Sequence, residues 1–361
     1  MLAALAVALI GYQIVNLGAP PGAEKVEAVA INNRGEVLVR AWETLVVPWS
    51  SSNGETGESR VPVRRGYLCR AGQLLPMTLK ERYPSSEPPS IEPLALNDLS
   101  VAVGWKGTGM PLFMSGLTQN DAIIWRGRNV EDLGAGHTSA AEGINNLGDV
   151  VGGGDHRAFA RLRGRIVWLA PLSHIVPADP SGEMNDANQC VAVAINDRRQ
   201  ILLNSTYGKG DPVYMRPYLV DGNSPKSRPR PIALPRGCHQ AAGVRIGHDG
   251  TVLAMDSQSR VPFLSKGKRV TLLRSSARVP VEVAGMNGRG DVVGSAVRRS
   301  YPRDSSPLLW RRGKEVPFPT FPGWKLQTAT GINDKGQICG TGLHNGKTRA
   351  YLLNPGNAKR L

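Results

Sequence analysis

What this chain has little of narrows it first. Four cysteines, Cys69, Cys190, Cys238 and Cys339, are scattered without a CxxC pair, which excludes the ligand spacing of a structural zinc site. Cys69 and Cys339 fall on predicted strands, where buried thiols are expected. Cys190 and Cys238 each precede an inner strand of consecutive repeats; a disulfide there stays open, because strand spacing alone does not bring Cα atoms to bonding range. Catalytic signatures are missing as well: there is no GxSxG, HExxH, P-loop or dinucleotide fingerprint in context. Val151-Gly152-Gly153-Gly154 leads into no helix that could hold phosphate. The Asn-Asp pairs lack the alternating oxygens and closing Glu of a calcium loop. No cofactor and no metal is therefore expected. Acid is scarce, with 29 Asp and Glu against 44 Lys and Arg, for a net charge of +15. Aromatics make up only 6%.

What is present is a repeat. Gly331 to Gly340 reads GINDKGQICG, a hairpin in miniature: small residues, an apolar anchor, an Asx-Gly turn and an apolar exit. Asn and Asp bond their own backbone and, with Gly, tolerate left-handed dihedrals, so the chain can reverse here. Further copies begin at Ile31, Ile144, Ile246 and Met286, and worn copies without the turn Gly at Leu96 and Ile195. The seven anchors lie 65, 48, 51, 51, 40 and 46 residues apart. A period of roughly 40 to 50 residues built from short strands is the signature of a β-propeller blade. Later in each unit an apolar strand such as Ala122-Ile123-Ile124-Trp125 or Pro307-Leu308-Leu309-Trp310 turns through basic residues into another strand, which gives four strands per blade. The last unit stops after its third strand, while Tyr12 to Gly18 resembles the fourth strand Val130 to Gly134. Pairing that N-terminal strand into the last blade would close the ring and remove two sheet edges.

The expected fold is thus all-β: a seven-bladed β-propeller of four-stranded antiparallel blades, one domain over residues 12–355. An apolar segment at 1–11 and a polar tail at 356–361 flank it. Small residues before each turn, such as Ala28 and Ala30, Ala141 and Gly143, and Ala329 and Gly331, suit inner strands that crowd about an axis. Segment 1–11 is too short to span a membrane and has the apolar character of a signal-peptide core.

Gly143 to Gly152 (GINNLGDVVG), Asp132-Leu133-Gly134 and Arg157-Ala158-Phe159 resemble the unit of the HAF family, the bacterial "probable extracellular repeat". The resemblance covers nearly the whole chain. It implies export, to the periplasm or the outside, and names no reaction. Units two and four depart from it.

In a four-stranded meander the turns between third and fourth strands share a face with the Ile-Asn hairpins. Arg126 and Arg128, Arg161 to Arg165, Lys266 to Arg269 and Arg311 to Lys314 would build a basic rim there, a surface for an anionic polymer. No aromatic platform accompanies this charge, so specific nucleic-acid binding is not expected. The opposite face should carry long connections: Trp42 to Arg65, Trp105 to Asp121, Thr206 to Arg216 and Ser295 to Ser306, with the links 79–90 and 171–187. Variable loops on a rigid scaffold carry function, which makes this the expected binding face of a monomer, for a glycan or a protein. Trp42, Trp49, Trp105 and Trp324 are the candidate contacts, with His137 and His239, which share one repeat position. Glu27, Glu92 and Glu282 each precede their anchor by four residues. As paired carboxylates at a channel mouth they would serve the alternative, a glycoside hydrolase or lyase.

Overall fold

The computed structural model describes residues 11–50, 53–79, 89–111, 118–127, 129–136, 138–154, 157–169, 190–207, 214–298 and 304–356. Seven sheets follow one another around the ring; the first six are each built around four consecutive antiparallel strands running from an inner to an outer position, and the last combines the final three strands with the first. The inner strands are Ala23–Ile31, Ser90–Leu96, Ala140–Ile144, Cys190–Ile195, Ala241–Ile246, Val281–Met286 and Trp324–Ile332. We number the blades 1 to 7 in that order. The ring closes as the sequence suggests: Tyr12–Asn16 pairs antiparallel with Lys347–Pro355, setting Tyr12 against Pro355 and Asn16 against Tyr351. The seam is pinned at its end by Tyr12, whose hydroxyl donates to the Gly336 carbonyl (3.1 Å) and accepts from Arg311 of blade 6 (2.7 Å). Blade 2 gains a fifth strand, Thr78–Leu79, which pairs parallel with Asn129–Val130.

The core is divided among the gaps between blades. Each gap holds its own cluster of buried Val, Leu, Ile and Ala with at most a few large rings, such as Phe159, Phe263, Trp310 and Tyr351. Near the axis even a methyl group is too much. A Cβ on Gly331 would lie 2.9 Å from Ile31 Cγ2, and one on Gly143 would lie 3.0 Å from Ala194 Cα. Every inner strand carries a register shift just before its anchor, as between Ala141 and Gly143 or Gly243 and Arg245. A bulge there leaves one residue out of the ladder and re-aims its neighbours.

The worn turns of blades 2 and 4 keep the geometry of the others: Ser100 and Arg199 take φ of 61° and 58° where their counterparts are Gly. The compensation comes from the preceding blade. Ser100 Oγ donates to buried Glu36 at 2.6 Å, and Arg199 Nε to buried Asp149 at 2.8 Å. One expectation needs correction. Among their described residues, the connections Trp42 to Arg65, Trp105 to Asp121, Thr206 to Arg216 and Ser295 to Ser306 are almost wholly continued strand. In blade 1, Val37–Ser50 pairs with Thr56–Arg70 along its whole length, as suits the β-branched and aromatic residues Thr44, Val46, Val47, Trp49, Val61 and Val63. Cys190 and Cys238 are separate buried thiols; Cys190 lies 3.3 Å from Ser205 Oγ, and Cys238 Sγ donates to the Gln240 carbonyl at 3.3 Å. No described helix is long and apolar enough to cross a membrane.

Candidate functional site

On the hairpin face the turns knit themselves together. In each turn except that of blade 5, the first Asn accepts two backbone N–H bonds through Oδ1; Asn32, for example, accepts from Arg34 (3.1 Å) and Glu36 (3.0 Å). Its Nδ2 then donates to the same position of the next blade. Asn32 reaches Asn97, Asn97 reaches Asn145, Asn145 reaches Asn196, and Asn196 reaches Gly247, at 2.9 to 3.1 Å. Asn287 reaches Asn333, and Asn333 reaches Asn32 across the closure, at 3.1 and 2.9 Å. Gly247 has no side chain, so the chain of amides opens once, between blades 5 and 6. A second set of bonds forms an arc over blades 7, 1, 2, 3 and 4: Asn33 and Asp98, Asp98 and Asn146, Asn146 and Asp197, and Asp334 and Asn33 pair backbone N–H to side-chain oxygen at 2.7 to 2.9 Å. The turn role expected of these residues holds, and a bridge between blades is added to it.

These turns line a vestibule of about 410 Å³. Beneath it the seven anchor residues form an apolar collar, and beneath the collar is a chamber of about 170 Å³. Two charges sit in that chamber, Glu142 from blade 3 and Arg245 from blade 5. In the ladders, Glu142 is the residue that the bulge leaves unpaired, and Arg245 follows the bulge of its own strand. Burial pushes the Glu142 carboxyl up, with the Arg245 charge opposing. Burial likewise pulls the Arg245 guanidinium down, with Glu142 opposing. Sequence reading missed both. The signal was there: one and two residues before the anchor the other blades carry Ala, Gly, Val, Leu or Thr, so a charge breaks the repeat.

The opposite face gathers several of the expected residues in blades 1 and 2. Glu92 is buried, 3% exposed, and is ion-paired to Arg40 and, at 3.1 Å, to Arg64. Arg40 also pairs with Glu27 at 2.8 Å, and Lys25 pairs with Glu27 at 2.5 Å. Burial pushes the Glu27 carboxyl up, but the bonds from Lys25 and Arg40 outweigh it and hold it below the ordinary range. The same cations lie over the indoles: Lys25 Nζ is 4.3 Å and the Arg40 guanidinium 4.8 Å from the Trp42 ring, and the Arg64 guanidinium is 5.1 Å from Trp105. Trp49 stands apart near the tip of the blade 1 hairpin. Trp324 is on blade 7, stacked on His344 at 4.6 Å. Glu282 faces Arg260 at 3.9 Å. His239 is exposed ahead of the inner strand of blade 5, and His137 lies outside the described residues.

Fold and closure define the class: a seven-bladed β-propeller sealed by its first strand. No protein-family model matches the chain, and no curated protein matches it. It is similar in fold to a streptogramin B lyase (TM-score 0.47, 10% identity, 95% of this chain and 98% of that one). The virginiamycin B lyase of Staphylococcus aureus gives 0.46 and 9%, over 95% and 99%. A gluconolactonase from Xanthomonas campestris gives 0.40 and 10%, over 74% and 96%. At these levels the likenesses carry no argument about activity.

Proposed function

We propose that this propeller is a binding module acting outside the cytoplasm, and that its partner is a protein held on the face opposite the hairpin turns. One observation carries the reading. Blade 1 extends its second and third strands to 14 and 15 residues, against 5 to 10 in the other blades. The pairs from Thr44–Pro62 to Ser50–Thr56 form an arm that projects by about 23 Å at ~3.3 Å per residue. It exposes Val46 (54%) and Trp49 (40%) to solvent. The Trp49 ring lies across Gly57, where a Cβ would come 2.8 Å from Cζ2, so the indole is seated on one side and presented on the other. Leu99 (62%) and Leu147 (54%) are exposed singly at hairpin turns, whereas the arm sets an apolar pair on one projecting ladder, and an exposed indole is the kind of residue that dominates protein contacts.

A glycan is the second reading, favoured by the cation-backed rings of Trp42 and Trp105 beside the arm. Hydrolysis is less well supported. A glycosidase acid needs a raised pKa, whereas Glu27 is held low and Glu92 is neutralised by two guanidinium groups. Export rests on the apolar N-terminal segment and the family resemblance, and the basic rim would hold the protein near anionic surface polymers. The test is a screen of the wild type on arrayed secreted proteins and glycans, repeated with V46S/W49S and with Trp105→Ala. Loss with the arm variant supports a protein partner; loss with Trp105→Ala alone supports a glycan. A ligand kept by both variants would sink the assignment to this face.

A further inference from the structure

The chamber under the apolar collar is independent of the arm and of any reading placed on it. Glu142 and Arg245 both line it, from blades separated by blade 4. The Glu142 carboxylate makes no hydrogen bond and no direct ion pair with any described residue. Among described residues Arg245 makes one bond, from Nη1 to the Val244 carbonyl at 3.0 Å. The two groups are near enough to bias each other's ionisation yet do not meet. The rest of the lining is apolar, as at Ala30, Ala95 and Val193, apart from Thr330.

Such an arrangement is costly when empty of partners. Both side chains are half-buried; a charge so placed gives up part of its hydration, and a direct ion pair would offset that only if its geometry were met in full. Elsewhere in this molecule buried acids are paired directly: Glu36 bonds Arg70 at 2.5 Å and Asp149 bonds Arg199 at 2.8 Å. The chamber departs from that habit and leaves a carboxylate and a guanidinium facing a shared space that holds several waters or one small organic molecule.

We infer that the chamber is a binding site for a small zwitterion, an amino acid or a short ω-amino acid, with its ammonium toward Glu142 and its carboxylate toward Arg245. The guanidinium is suited to the carboxylate because it offers two parallel N–H donors in a plane, and the single free carboxylate suits an ammonium. The Asx turns above the collar spend most of their hydrogen bonds on one another, so the vestibule is a passage more than a second site.

The test uses the full chain and calorimetry with glycine, β-alanine, 4-aminobutyrate and 5-aminovalerate, a series that varies the distance between the two charges. Each is compared with its carboxylate-only and amine-only counterpart of equal length. At least one zwitterion should bind with one-to-one stoichiometry, at least tenfold more tightly than either counterpart. Glu142→Gln and Arg245→Met should each weaken it by tenfold or more while thermal unfolding remains cooperative. The comparison among wild-type ligands does not depend on either variant folding. If no zwitterion outbinds both of its counterparts, or if both folded variants bind it as the wild type does, the proposal is wrong.

Discussion

The two ends of the ring use polar residues in opposite ways. On the hairpin face nearly every Asn and Asp is consumed by the neighbouring turn, one blade handing a bond to the next, so the repeat is also the fastener. On the opposite face the same resource is spent locally. Arg40 is shared between Glu27 and Glu92, cations cover Trp42 and Trp105, and the blade 1 arm leaves apolar surface open. In a repeat protein, then, what recurs from unit to unit is architecture, and what departs from the pattern points to function. Some departures are themselves architectural. Ser100 and Arg199 stand where other turns have glycine and bond the acid buried in the preceding blade, whereas Gly35 and Gly250 lie against the amide ends of Gln337 and Gln200.

The largest expected effect comes from breaking the seam. Deleting residues 1–17 removes the strand paired to Lys347–Pro355 and the buried Leu17, a loss of more than about 3 kcal/mol from apolar burial and ladder bonds together. It also exposes an edge that can pair with another chain. Urea unfolding and gel filtration would read both; an unchanged midpoint with a monomeric elution would refute closure by this strand. Next is Arg199→Gly. It restores the ordinary turn residue yet strips buried Asp149 of its ion pair, for a net cost of about 2–3 kcal/mol. If the variant were as stable as the wild type, the cross-blade pairing of turn residue and acid would have no energetic content. Gly35→Ala, at φ +85° and 2.9 Å from Gln337 Oε1, should cost about 1–2 kcal/mol by strain and contact. Smallest of all is V46S/W49S on the arm, expected within about 0.5 kcal/mol of wild type. A large loss there would make the arm a structural part of blade 1 and weaken the contrast between the faces.

Much of this was legible in the residues. Asx-Gly turns, alternating strands and small residues before each anchor are local codes, read along a few positions, and they led to the blade count, the closure and the assignment of faces. The arm was misread as a loop because its length exceeds the strand typical of the other blades, although its β-branched content favoured strand. Glu27, Glu92 and Glu282 recur at one repeat position and so stand out in the sequence, whereas Glu142 and Arg245 each interrupt an otherwise uniform position in a single blade, and only the ring brings the two together.

By itself the sequence determined that seven similar wedges would form and in what order, since hydrogen-bonded hairpins and hydrophobic alternation depend on neighbours along the chain. Only the closed ring decided which wedge touches which. The angle between successive blades sets Asn32 against Asn97 and Asn333 against Asn32, buries Glu92 between two arginines, and turns Glu142 and Arg245 toward one lumen. Those contacts join residues far apart in sequence, and no pattern within a single repeat encodes the distance between them.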